Sequence, residues 1–61
     1  MLMVERQQRV LEILRGKKTA QLEDLARELD VSASTIRRDL EWLENQGLVE
    51  RIHGEIGRAH V

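Results

Sequence analysis

The chain has 61 residues and a net charge of −1; 34% of its residues are charged, 41% are hydrophobic, and its only aromatic residue is one Trp. This length allows one domain with a small aliphatic core, because a domain of this size buries only roughly 60% of the surface that its unfolded chain exposes. The absence of cysteine excludes disulfides and thiolate metal sites, and no apolar run has the length of a membrane span or a signal peptide, so we expect a cytoplasmic domain without a metal or a cofactor.

The charges are grouped along the chain rather than mixed evenly. Residues 1–18 carry five basic and two acidic side chains, whereas residues 19–30 carry one basic and four acidic side chains. Residues 31–40 and 51–61 each have a net charge of +1, and residues 41–50 have a net charge of −3. A net charge of −1 argues weakly against a polyanion as the partner, but this pattern is compatible with one basic face and one acidic face.

The first predicted element is an amphipathic helix over residues 3–15. Its apolar residues fall on one side at 100° per residue; they are Met3, Val10, Leu11, Ile13 and Leu14. Gly16 follows the helix, in the position where a left-handed C-terminal residue is common, so we expect Gly16 to be that residue.

Two further helices are predicted over residues 22–29 and 33–46, separated by a turn at residues 30–32. The segment "KTAQ" before them is predicted to be an extended connection or one short strand. The second helix has the apolar residues Leu22, Leu25, Ala26 and Leu29; the third has Ile36, Leu40 and Leu43. Ser32 is a favourable N-cap for the third helix, and Gly47 is the residue that ends it. Two helices joined by a turn this short indicate a helix-turn-helix.

The tail changes to a period of two. Leu48, Glu50 and Ile52 alternate before the Gly-containing turn His53-Gly54-Glu55, which predicts a β-hairpin over residues 48–60. The fold class predicted for residues 1–61 is therefore mainly α with a small β-hairpin, a three-helix winged helix-turn-helix.

The third predicted helix carries the residues that could recognise DNA. Arginine can bridge the O6 and N7 atoms of guanine in the major groove, and hydroxyl and backbone N–H groups at a helix N-terminus can hold phosphate. The predicted contacts in this helix are Ser32, Ser34, Thr35, Arg37 and Arg38. Two adjacent arginines on a solvated helix face are ordinarily solubilising charges, and only the surrounding helix, turn and hairpin favour a role in reading DNA.

Three other positions carry alternatives. We expect Asp39, at the edge of the apolar face, to pair with Arg6 or Arg9 and to orient the third helix. Trp42 is interpreted as a packing or dimer contact in preference to a platform for base stacking. In the hairpin, the candidates for phosphate or minor-groove contact are Arg51, His53 and Arg58, although His53 is equally well explained as a turn residue.

The motifs "LEDLARELDVSASTIRRDLEWLENQGLVERIHG" and "ERQQRVLEIL" resemble the N-terminal DNA-binding domain of DeoR-type bacterial transcriptional repressors. The resemblance implies binding to an operator in double-stranded DNA and repression of operons, often for sugar or nucleoside catabolism. It also implies a C-terminal domain, absent from these 61 residues, that binds a phosphorylated sugar and forms homo-oligomers. The family often continues "HGGA" where this chain has "HGEIG", so Glu55 places an acid near the tip of the wing.

Two other classes of function compete with a repressor module. One is a winged helix used for protein–protein contact, which the net charge and Trp42 would permit. The other is the DNA-binding head of a bifunctional enzyme and repressor. Catalysis within these residues is not expected, because no nucleophile, base and orienting group converge and no phosphate-binding Gly loop is present.

Overall fold

The computed structural model describes residues 2–59, which form three helices and three short strands. The elements are α1 (Met3–Gly16), β1 (Thr19–Ala20), α2 (Leu22–Leu29), α3 (Ala33–Asn45), β2 (Val49–Ile52) and β3 (Glu55–Arg58). The predicted fold class, a three-helix winged helix-turn-helix, is confirmed. The hairpin is shorter than the predicted range 48–60, and residue 60 lies outside the described residues.

The strands form one antiparallel sheet in the order β1-β3-β2. Strand β3 lies in the middle: Ala20 of β1 and Arg51 of β2 both pair with Ile56. His53 and Gly54 connect β2 to β3 with φ values of 52° and 82°, and positive φ at both central residues is what a type I′ hairpin turn requires. The short strand β1 therefore ties the wing to the connection between α1 and α2.

The core is aliphatic and takes residues from every element. Its buried apolar residues are Val10, Leu14, Ala20, Leu25, Ala26, Leu29, Ile36, Leu40, Leu43, Val49 and Ile56. The predicted apolar face of the third helix is confirmed, since all three of its residues are buried. Because α3 packs against both other helices and β2, the opposite face of α3 is left to solvent.

The helix ends follow the prediction at two positions and depart from it at one. Ser32 is the N-cap of α3, its side chain accepting from the Thr35 backbone N–H, and Gly47 follows α3 with a φ of 75°. The predicted left-handed conformation of Gly16 is wrong: Gly16 is the last residue of α1, and Lys17 is extended with a φ of −119°. An extended residue is needed there because the chain passes within two residues into β1. Asp30 instead adopts the left-handed conformation after α2.

The buried face of α1 differs from its predicted composition. Met3 is half exposed, because it lies beyond the end of the core, whereas Gln7 is only 6% exposed. Gln7 lies one turn before Val10 and two turns before Leu14 on the same face, and within residues 2–59 its Nε2 atom has no hydrogen-bond partner. At the start of the wing, Val49 is buried and Leu48 is exposed. The Leu48 N–H donates to the Leu43 carbonyl at 3.0 Å, so Leu48 belongs to the turn after α3 and β2 begins at Val49.

Neither a membrane-spanning helix nor a cluster of metal ligands is present within residues 2–59. No helix among them has the length and apolar character needed to cross a membrane. No group of three or more His, Cys, Asp or Glu side chains between residues 2 and 59 is arranged to hold a metal ion.

We expect Gln7→Met to stabilise the fold. The thioether has a similar length and removes a buried amide N–H group, that of Nε2, which has no partner among the described residues; its removal is worth about 1 kcal/mol. The melting temperature should rise by about 4–8 °C for a domain of this size, measured by circular dichroism at low micromolar concentration. Gln8→Met changes the exposed neighbouring residue and is the control; its melting temperature should stay close to that of the parent. A Gln7→Met variant less stable than the parent would contradict this assignment.

Candidate nucleic-acid interface

The N-terminus of α3 collects three hydroxyl groups. The Ser32 Oγ accepts from the Thr35 backbone N–H at 3.2 Å and lies 2.9 Å from the Thr35 Oγ1. The Ser34 Oγ lies 3.3 Å from the Ser32 Oγ. These hydroxyls surround the end of the helix where backbone N–H groups and the helix dipole favour an anion. The predicted residues Ser32, Ser34 and Thr35 are thus brought together in a position suited to a phosphate group.

The exposed face of α3 continues from this end with two arginines. Arg37 and Arg38 are both exposed, and neither has an ion-pair partner within residues 2–59. Four other basic side chains in the same range do pair with acids: Arg6, Lys17, Arg27 and Arg51. Five donor N–H groups in a planar fork are therefore available on each of these two arginines for an external partner.

An ion pair between Arg6 and Asp39 holds the back of α3. The Arg6 Nε donates to the Asp39 Oδ2, and the Arg6 Nη2 donates to the Asp39 Oδ1 at 3.1 Å. The Asp39 side chain is 2% exposed and that of Arg6 is 14% exposed. The hydrogen bond to Asp39 raises the pKa of Arg6 above its ordinary value, against the effect of burial. The sequence-based expectation that Asp39 pairs with Arg6 or Arg9 is therefore resolved in favour of Arg6.

The three predicted wing residues do not form one cluster. His53 is exposed in the hairpin turn, whereas Arg58 lies at the other end of the hairpin, opposite Val49. The Arg51 Nε is 3.6 Å from the Glu44 Oε1 of α3, with both side chains nearly half exposed. This ion pair joins β2 to α3, and no sequence pattern indicates it, because neither Glu44 nor Arg51 lies on an apolar face that would require a counter-charge.

Two features near the wing were also missed from the sequence. Glu55 does not project from the tip, because its Oε1 accepts from the Thr19 Oγ1 at 3.2 Å. Arg58 lies instead with Arg15 and Lys18, around a groove between the end of α1 and the sheet. The spacing of basic residues along the chain gives no sign of this group, since it depends on how β1 pairs with β3.

Three helices, the short turn between α2 and α3, and the hairpin that follows define a winged helix-turn-helix, a class of DNA-binding domain. Residues 6–60 match the family model of the DeoR-like helix-turn-helix domain. The chain belongs to the DeoR-like helix-turn-helix family.

Individual relatives agree with this family. Over 54 residues the chain is 44% identical to the HTH-type transcriptional regulator GlpR of Haloferax volcanii, a match that covers 88% of the chain and 21% of that protein. It is 42% identical over 50 residues to the HTH-type transcriptional regulator GolR of Listeria innocua, covering 82% and 20% of the two chains. It is 53% identical over 38 residues to the HTH-type transcriptional repressor CsqR of Escherichia coli, covering 62% and 15%.

The chain thus spans about a fifth or less of the length of these relatives. No solved structure is significantly similar to it.

We expect Asp39→Ala to destabilise the fold by about 3 kcal/mol, the lower end for a broken buried ion pair, because Arg6 retains some access to solvent. A domain of this size has a total stability of only about 3–9 kcal/mol, so the loss should be large in a urea titration followed by circular dichroism. Arg9→Ala, an exposed arginine on the same helix, is the matched control and should change the stability by less than about 0.5 kcal/mol. Equal stability of the Asp39→Ala variant and the parent would show that the pair does not hold α3.

Proposed function

We propose that the chain is the operator-recognition module of a longer transcriptional repressor, with α3 lying in the major groove of double-stranded DNA. The observation that carries this proposal is the exposed face of α3, where Arg37 and Arg38 lack acidic partners among the described residues. The hydroxyl groups at the N-terminus of the same helix would position a backbone phosphate. An arginine that bridges the O6 and N7 atoms of a guanine would read sequence.

The wing supplies the second set of contacts in this proposal. His53 lies in the turn that projects farthest along the hairpin, where it would meet the phosphate backbone or the minor groove. Arg51 would reach the same DNA from the side of α3, at the cost of its ion pair with Glu44. Arg58 would contact a more distant phosphate, since it lies at the other end of the hairpin.

The remaining parts of the proposal rest on the family resemblance and on the greater length of the relatives. A further domain outside these 61 residues would bind a phosphorylated sugar as the effector and assemble the regulator into a homo-oligomer. The regulator would act in the cytoplasm and would catalyse no reaction. Repression, rather than activation, is proposed because the relative CsqR is named a repressor.

Single alanine variants of Arg37 and Arg38 test this assignment. The probe is a duplex that the chain itself enriches from a pool of random sequences, and affinity is measured by fluorescence anisotropy at several salt concentrations. An arginine that bridges a guanine is worth about 1–3 kcal/mol, so its loss should weaken binding roughly 5- to 150-fold on the enriched duplex. An arginine that binds phosphate should instead weaken binding to every duplex and lower the log–log salt slope by about 0.9.

Arg9→Ala removes the same charge from α1 and is the control for these variants. Its affinity should remain close to that of the parent. The proposal is contradicted if neither the Arg37→Ala variant nor the Arg38→Ala variant binds more weakly than the parent. It is also contradicted if the affinity of the parent does not depend on salt.

A Glu44→Gln variant tests the role of the wing. If Arg51 contacts DNA, it must first leave Glu44, and removing that competitor should raise the affinity up to about fivefold, the value of an exposed ion pair. Glu12→Gln removes the same charge from an exposed position on α1 and serves as the control. An equal gain in both variants would mean that net charge, and not the release of Arg51, is responsible.

A further inference from the structure

Glu41 lies between the two arginines on the exposed side of α3. Around the helix it is about 40° from Arg37 and about 60° from Arg38, and it lies nearer than Arg37 to the point opposite the core. The Glu41 side chain is exposed and forms no ion pair or hydrogen bond within residues 2–59. Both arginines are one turn away, at the spacings where ion pairs form on a helix, and neither is paired with it. This acid is therefore left to meet an external partner.

We propose that Glu41 determines sequence specificity by accepting a hydrogen bond from the N4 amino group of a cytosine in the major groove. The inference rests on the proposed function, because it requires α3 to lie in that groove. It adds to that function a second base and the residue that selects it. The competing explanation is a solvated charge on the surface of α3, which would select no base.

A carboxylate that enters the major groove needs a hydrogen-bond donor there. It loses part of its water, and a carboxylate that is desolvated without gaining a donor is strongly unfavourable. The phosphates on both sides of the groove add repulsion. An ionised glutamate is an acceptor only, and the only donors on the base edges of the major groove are the amino groups N4 of cytosine and N6 of adenine. A DNA site without such an amino group beside Glu41 is therefore disfavoured.

Cytosine suits a carboxylate better than adenine does. Adenine presents the acceptor N7 beside its amino group, so a carboxylate that bonds to N6 also approaches a second acceptor, whereas cytosine presents the N4 donor without N7. A glutamine side chain has one acceptor and a donor group, which match N6 and N7 of adenine. Replacing Glu41 by glutamine should therefore change the preferred base from cytosine to adenine.

The spacing along α3 limits where this cytosine can lie. Along the helix axis, Glu41 is about 4.5 Å beyond Arg38 and about 6 Å beyond Arg37. Successive base pairs are about 3.4 Å apart, so a helix that lies along the groove places Glu41 one or two base pairs away from a guanine that either arginine bridges. We therefore expect the sequence that the chain enriches to contain a guanine and, one or two base pairs from it, a cytosine on either strand.

The same carboxylate should weaken binding to duplexes of unrelated sequence, where no cytosine offsets its repulsion from the phosphates. Specificity then depends on disfavouring the wrong site as well as on favouring the right one. Removing the charge in Glu41→Ala should weaken binding to the enriched duplex and strengthen binding to an unrelated duplex. A solvated charge would give stronger binding to both duplexes when removed, whereas damage to the fold would weaken binding to both.

Selection of duplexes from a random pool by the parent, Glu41→Gln and Glu41→Ala chains tests the inference. All three should enrich the same guanine; beside it the parent should enrich cytosine, Glu41→Gln should enrich adenine, and Glu41→Ala should enrich no particular base. Affinities are then measured by fluorescence anisotropy. Replacing the cytosine of the parent's duplex should weaken binding by the parent roughly 5- to 150-fold and leave binding by Glu41→Ala nearly unchanged.

Glu44→Gln is the matched control, because it removes the same charge from the same helix, on the flank that contacts Arg51. Its affinity can change, but it should select the parent's bases, and circular dichroism establishes that every variant folds.

The inference is overturned if either Glu41 variant retains the preference for cytosine, or if Glu41→Ala changes binding to the enriched and unrelated duplexes in the same direction. These results would leave the proposed DNA binding intact, since the parent would still enrich a sequence. A parent chain that enriches no sequence would instead overturn the proposed function and this inference together.

Discussion

The ion pair between Arg6 and Asp39 is the interaction on which the placement of α3 depends. It joins the start of α1 to the middle of α3 across 33 residues of sequence, with both carboxylate oxygens occupied. A buried pair adds little net stability compared with apolar residues of the same shape, and its contribution here is geometric. The two contacts hold Asp39 against α1, beside the buried apolar face of α3, while Arg37 and Arg38 lie on its exposed side.

The charges around α3 divide its surface into regions of different character. Arg38 lies opposite the core, whereas Arg37 lies on one flank, about 20° around the helix from Glu44, which contacts Arg51 of the wing. The other flank carries Trp42, which is 43% exposed. The net charge of −1 is therefore a poor guide to the partner, because four acids are held in ion pairs while Arg37 and Arg38 have no acidic partner within residues 2–59.

Much of the fold could be predicted from the sequence, because the signals were local. The spacing of Ile36, Leu40 and Leu43, the cap at Ser32 and the glycine at position 47 each act within one element. The pairing of Asp39 was also predictable, since an acid on an apolar face requires a cation. Sequence patterns did not indicate the features set by contacts between elements: the burial of Gln7, the ion pair between Glu44 and Arg51, and the group that Arg58 forms with Arg15 and Lys18.

The central claim is that arginines of α3 read guanine in the major groove. Methylation interference tests it most directly, because methylation of guanine at N7 blocks the atom that an arginine would bridge. On a duplex enriched by the chain from random sequences, we predict discrete guanines whose methylation prevents binding by the parent, and loss of one such position in either the Arg37→Ala or the Arg38→Ala variant. Enrichment of no sequence at all, or binding that is indifferent to methylation at every guanine, would contradict the account.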